Sequence, residues 1–187
     1  MITEAMDNIL NCYWETTPET RQAGLDWYPK AEAIAKELLP DPRQAAGVIA
    51  ALSPRQHWKV NVAGSRAICR AASQGLRVIP RVAGVYKNID KAWRIANGEE
   101  PLSIFVKRKQ VNFKVLRFFH NIMGNTEVVT VDTWSAKVAY PNLEFREIRG
   151  RMYLNIEYAY KLAAKILGIA PRDLQAICWI HLRGRSE

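Results

Sequence analysis

The residues best suited to covalent chemistry in this chain are a lysine and an aspartate, Lys114 and Asp132, eighteen positions apart. Asp132 closes the β-branched run of Val128–Trp134, VVTVDTW. The Val and Thr residues before it resist helix, whereas TWSAKVA after it suits one. Asp132 therefore reads as an N-cap, its carboxylate receiving the free N–H groups of the next turn. The apolar lead-in sets that carboxylate in a low-dielectric interior, where charge is costly unless compensated. The helix N-terminus supplies part of the compensation. Lys114 lies in VNFKVLRFFHNI, at the edge of an apolar stripe of Val111, Val115, Phe118, Phe119 and Ile122. A lysine there usually snorkels. A partly desolvated one can also lose its proton near neutral pH and become a nucleophile. Both readings stay open at this point.

The elements that must position these residues are almost all helical. Helices are expected at roughly 3–13 and in TPETRQAGLDWYPKAEAIAKELL, where Pro29 marks a kink or restart. DPRQAAGVIAAL has an Asp cap followed by Pro, and its run Ala45–Leu52 is apolar all round, as in a central buried helix. A new helix is expected directly after Ser53-Pro54, ending at Gly75, with another at about 89–97. RMYLNIEYAYKLAAKILG is long and amphipathic with Gly168 as its C-cap, and Pro171 opens the last helix. Strand signal is confined to 127–131, and one short strand has no partner. The expected fold is all-α, a two-lobed bundle of about eight to ten helices with a cleft between lobes. One lobe is expected at about 41–131 and the other from 1–40 plus 132–187.

The chain has 187 residues, 49% of them hydrophobic, enough for a sizeable core and too apolar for disorder. Its net charge of +9 favours an acidic partner such as nucleic acid, although a solubility surface has the same signature. No apolar run reaches the ~18 residues of a membrane span. The N-terminus lacks a basic-plus-apolar signal pattern, so an intracellular, DNA-associated location and no membrane partner are expected. Cys12, Cys69 and Cys178 share no metal spacing and read as reduced core residues.

The spacing of Lys114 and Asp132 resembles that of the helix-hairpin-helix DNA glycosylase superfamily, most closely endonuclease III. There a catalytic Lys opens one helix and a catalytic Asp lies in VDTH. Three further landmarks follow the family's order over roughly residues 45–185. AALSPRQHWKVNV is similar to its LSAQ turn, KNIDKAWRIANGEEP to its segment ending NGEVP, and CWIHLRGR to its HWLILHGR helix. The resemblance implies excision of a damaged or modified base from double-stranded DNA by base flipping, with Asp132 stabilising an oxocarbenium-like sugar. Lys114 would form a Schiff base if the enzyme is also an abasic-site lyase. Arg55, Gln56 or His57, after the LSP turn, would fill the gap left by the flipped base, or else form an exposed polar helix start.

The sequence also departs from that family. Its hairpin glycines are absent from RKQVNFK, so either the hairpin has a different shape or phosphate contact passes to Lys107, Arg108 and Lys109, which otherwise form a solvated basic face. The family's His after VDT is Trp134 here, which can narrow a base pocket together with Trp58 or belong to the core. Trp27 and Tyr28 in GLDWYPKA complete the core or line a pocket. The four cysteines of the family's iron–sulfur site are absent, so no cofactor or metal is expected. The expected state is a monomer. Two alternatives stand beside the glycosylase: an enzyme acting on hypermodified phage-type DNA bases, and a non-catalytic DNA-binding module.

Overall fold

The computed structural model describes residues 2–107, 110–143 and 148–184. Among them are ten helices and one minimal β-ribbon, so the fold class is all-α as the helical periodicity requires. In chain order these are α1 (Ile2–Trp14), α2 (Pro18–Leu38), α3 (Pro42–Leu52), α4 (Trp58–Ser73), α5 (Tyr86–Ala96) and α6 (Pro101–Phe105). Then come β1 (Val106–Lys107), β2 (Gln110–Val111), α7 (Phe113–Ile122), α8 (Thr133–Ala139), α9 (Gly150–Leu167) and α10 (Pro171–Arg183).

The chain divides into two compact units, Lys30–Met123 and the remainder, with boundaries at 29/30 and 123/124 rather than 40/41 and 131/132. The connecting segment 124–131 thus belongs with α8–α10, and its Val129 and Val131 are bonded to α9. The first boundary falls at Pro29 inside α2, which is a single helical span.

The unit Lys30–Met123 is built around α3, whose residues Ala45–Leu52 are all buried. Asp41 caps it, accepting from Arg43 N at 2.8 Å, and Pro42 takes the first turn where no N–H is needed. Gly47 lets α3 approach α6: a Cβ there would lie 2.7 Å from Pro101 Cγ. Asn61 of α4 donates to Ile49 O of α3 at 3.0 Å. Phe118, Phe119 and Ile122 of α7 are buried against this core. α4 starts at Trp58, not directly after Pro54, and residues 54–57 form a turn in which Arg55 has φ +63°. Gly75, φ +66°, ends α4 as expected.

The region 106–111 corrects the sequence reading. Residues 106–107 and 110–111 pair as an antiparallel ribbon, Val106 opposite Val111, and α7 begins only at Phe113. Val111 is exposed and lies outside the apolar stripe. Two-residue strands carry no period that a pattern search can see.

The other unit packs α1, α8, α9 and α10 together with the first part of α2. Ile9, Tyr28, Ile156, Tyr160, Leu174 and Ile177 are its fully buried large side chains. Residues 127–131 form neither helix nor strand, 127 and 128 being bends. α9 bonds them instead. Val129 N donates to Glu157 Oε1 at 3.2 Å, Val131 N donates to Tyr153 Oη at 3.0 Å, and Tyr153 Oη donates to Val129 O at 3.0 Å. Two side chains one turn apart on α9 therefore stand in for a neighbouring strand.

Candidate functional site

The valines before Asp132 are a buried wall: Val129 and Val131 are essentially inaccessible, whereas Asp132 itself is half-buried. Asp132 caps α8, Oδ1 accepting from Ser135 N at 2.8 Å and from Ser135 Oγ at 2.9 Å. Its second oxygen, Oδ2, accepts from the indole Nε1 of Trp179 on α10 at 3.0 Å. All three donors are neutral. Among the described residues no Lys or Arg pairs with Asp132, so its charge is oriented without being cancelled.

A buried chain fixes the Ser135 hydroxyl in turn. Burial pushes the Tyr28 phenol above its ordinary range, against a hydrogen bond from Thr130 that pulls the other way, with the Asp132 charge adding to the rise. Tyr28 is thus a protonated donor, and it donates to Gln175 Oε1 at 3.0 Å. That sets the Gln175 amide so that Nε2 donates to Ser135 Oγ at 3.0 Å. The Ser135 hydroxyl, accepting there, has two acceptors for its own proton, Asp132 Oδ1 at 2.9 Å and Thr130 O at 3.4 Å, and the shorter contact is the one to the carboxylate. Tyr160, also raised, mainly by burial, donates to Ser135 O at 3.2 Å. Trp27 stands edge-on to Trp179, centroids 5.8 Å apart, and the Arg183 guanidinium lies 5.0 Å from the Trp179 ring centroid. Of the residues expected to choose between core and pocket, Tyr28 is buried and Trp27 is half-buried beside Trp179.

The close seat of α2 on α10 depends on Gly24. A Cβ there would lie 2.4 Å from Ile177 Cγ1 and 2.7 Å from Ile177 Cα. Only a bare Cα permits that approach, one turn before Trp27 and two residues from Trp179 on the facing helix.

The other sequence candidates distribute as follows. Lys114 is the second residue of α7, half-buried, in a first turn capped by Asn112, whose side chain accepts from Val115 N at 3.3 Å. Lys114 and Asp132 belong to different units. Arg55 and His57 are exposed and Gln56 is half-buried. Trp58 opens α4 and packs edge-on against Phe118 at 6.5 Å, which gives it a structural neighbour on α7. Trp134 is not core: it is 37% exposed on α8, with Lys137 Nζ 5.4 Å from its ring centroid. Arg108 and Lys109 lie outside the described residues, and Lys107 is described by its backbone alone. Among the described residues no cluster of three or more His, Cys, Asp or Glu could hold a metal ion. No helix among them is long and apolar enough to cross a membrane.

The sequence reading missed Ser135, Gln175 and Trp179 as members of the Asp132 site. Ser135 was findable, because it stands three residues after the cap, the capping-box position. Trp179 and Gln175 had no local signal, being 47 and 43 residues from Asp132 in sequence.

No curated protein and no solved structure matches this chain. A family model matches residues 1–186, and the chain belongs to that family, the family of unknown function DUF7178.

Proposed function

We propose that this member of the DUF7178 family is a DNA N-glycosylase that flips and excises a damaged or modified base from duplex DNA, with abasic-site lyase activity through Lys114. The observation that carries the reading is the Asp132 carboxylate. It is fixed by three neutral donors, half-accessible, and uncancelled by any cation among the described residues. Such a group suits a developing oxocarbenium ion, since it is pre-oriented and pays no reorganisation when the charge appears. The four ordered sequence landmarks and the +9 charge support the same reading.

In this mechanism Asp132 stabilises the cationic sugar as the base departs. The Lys114 amine, or a water, then attacks C1′. Amine attack leads to a Schiff base and strand cleavage, and water attack releases the base alone. The experiment is incubation with a panel of lesion-bearing and modified duplexes, scoring base release separately from nicking, with borohydride trapping on abasic DNA. The expected results are base release from at least one duplex and a trapped adduct lost in Lys114→Ala. Release that persists while no adduct forms removes Lys114 from the mechanism. Release unchanged in Asp132→Asn, or absent from every duplex, overturns the glycosylase reading in favour of a non-catalytic DNA-binding module.

Exposed Trp134, where the helix-hairpin-helix glycosylases that this chain resembles have histidine, favours a second reading, an enzyme acting on hypermodified bases. A large exposed aromatic two residues after Asp132 suits stacking on a bulky base. Activity confined to ordinary lesions such as oxidised pyrimidines removes this version.

A further inference from the structure

The positive charge of this protein is concentrated in one unit. Residues 30–123 carry 17 Lys and Arg against 6 Asp and Glu, a net +11, whereas the rest of the chain carries 10 against 12. Within that unit, 42–89 holds eight Lys and Arg and no acidic residue at all. Three of the cations, Lys59, Arg66 and Arg70, are exposed on α4. At 100° per residue they share one stripe about 40° wide and about 16 Å long, separated only by small side chains such as Ala63. The opposite face of α4 is spent on the core through Ile68, Cys69 and Ala71.

The loop after α4 extends this surface. It folds back beside the helix, because the position a Cβ would take at Gly64 of α4 lies 3.8 Å from Val82, and that at Gly84 lies 3.0 Å from Gln56 Nε2. Arg77 and Arg81 are exposed on that loop. Arg66 meets Glu37 at 3.5 Å, with both side chains more than half exposed. Among the described residues no hydrogen bond or ion pair engages the side chains of Lys59, Arg70, Arg77 or Arg81. Cations gathered without counter-charges raise the unit's self-energy, a cost relieved when a polyanion binds.

We infer that the α4 stripe of Lys59, Arg66 and Arg70, flanked by Arg77 and Arg81, is a track for the sugar-phosphate backbone of nucleic acid, read without regard to sequence. A membrane surface fits less well. An interfacial helix needs an apolar face to bury in lipid, and that of α4 is already buried in the protein. The inference does not depend on catalysis: a protein that binds DNA through this track and releases no base satisfies it while refuting the glycosylase reading.

The experiment measures binding of a fluorescent mixed-sequence 20-base-pair duplex across a salt series. The triple variant Lys59→Gln/Arg66→Gln/Arg70→Gln is expected to lower the slope of log K against log salt by about 2.7, roughly 0.9 per lost phosphate contact. The loop pair Arg77→Gln/Arg81→Gln, which leaves α4 untouched, is expected to lower it by about 1.8. A control triple in the other unit, Arg149→Gln/Arg151→Gln/Lys165→Gln, removes the same charge and is expected to leave the slope within error of wild type. Equal losses from both triples reduce the effect to net charge and overturn the track. So does a wild-type protein that sediments with phosphatidylserine vesicles while leaving the duplex free.

Discussion

At the scale of single residues, Asp132 is both cap and candidate catalyst, and its two oxygens divide the roles. Oδ1 faces the helix through Ser135, and Oδ2 faces the indole of Trp179. Asp132→Asn keeps an oxygen for the cap but must turn an amide N–H₂ toward one donor, most simply the indole. Two donors then oppose each other, and the expected cost is about 1 kcal/mol, the low end for a half-buried site. Urea unfolding measures it. Base release, if the proposed chemistry holds, is expected to fall by about 10²–10³, the usual cost of losing one pre-oriented electrostatic group. Trp179→Phe separates positioning from charge. It keeps the carboxylate and the ring but removes the donor, so activity is expected to fall about tenfold or more with KM little changed. A variant with full activity would make the indole contact purely structural.

At the scale of elements, the site rests on two close fits. The first is between 127–131 and α9. Tyr153→Phe removes one oxygen that both accepts from Val131 N and donates to Val129 O, leaving two buried backbone groups unmatched. A loss of about 2 kcal/mol is expected, seen as a lower urea midpoint. Glu157→Gln keeps an acceptor for Val129 N and is expected to cost less. The second fit is Gly24 against Ile177, where even Gly24→Ala pushes a methyl into backbone and is expected to cost 1–3 kcal/mol. Helix positions, the buried α3, the ends marked by Asp41, Gly75 and Gly168 and the helix start at Pro171 were legible, because each rests on a local pattern of periodicity or capping. That 127–131 is a connector with no strand partner was legible as well, but not what bonds it, since Tyr153 and Glu157 look like ordinary positions of an amphipathic helix. The β-ribbon at 106–111 was illegible for lack of length. Trp179 was legible only as part of a landmark, because its bond to Asp132 joins helices far apart in sequence.

At the scale of the whole molecule, the buried titratable groups set the response to alkali. Burial pushes the Cys69 thiol from 9.0 up to about 12, and it holds Tyr28 and Tyr160 above 10.0. The Cys178 thiol is also raised, chiefly through its contact with Cys12 and then by burial. In each case the unfolded chain releases the proton at a lower pH than the fold does. The folded state therefore holds more protons than the unfolded one above pH 9, and stability falls as pH rises. These contributions are complete below pH 9. The thiols begin to lose theirs at 9 and the two tyrosines at 10, with each fully unmatched group costing up to about 1.4 kcal/mol per pH unit. Between pH 9 and 10 the two thiols dominate. Cys69→Ala deletes one of them, and with the tyrosines already titrating in the unfolded chain it is expected to cut the slope of unfolding free energy in that interval to about two-thirds that of wild type. Above pH 10 the tyrosine contribution is unchanged in the variant. Comparing the two proteins at the same pH values cancels the lysine titration that both share. Equal slopes between pH 9 and 10 would mean that the Cys69 thiol titrates alike in the folded and unfolded chain, and that the α4 core around it admits water.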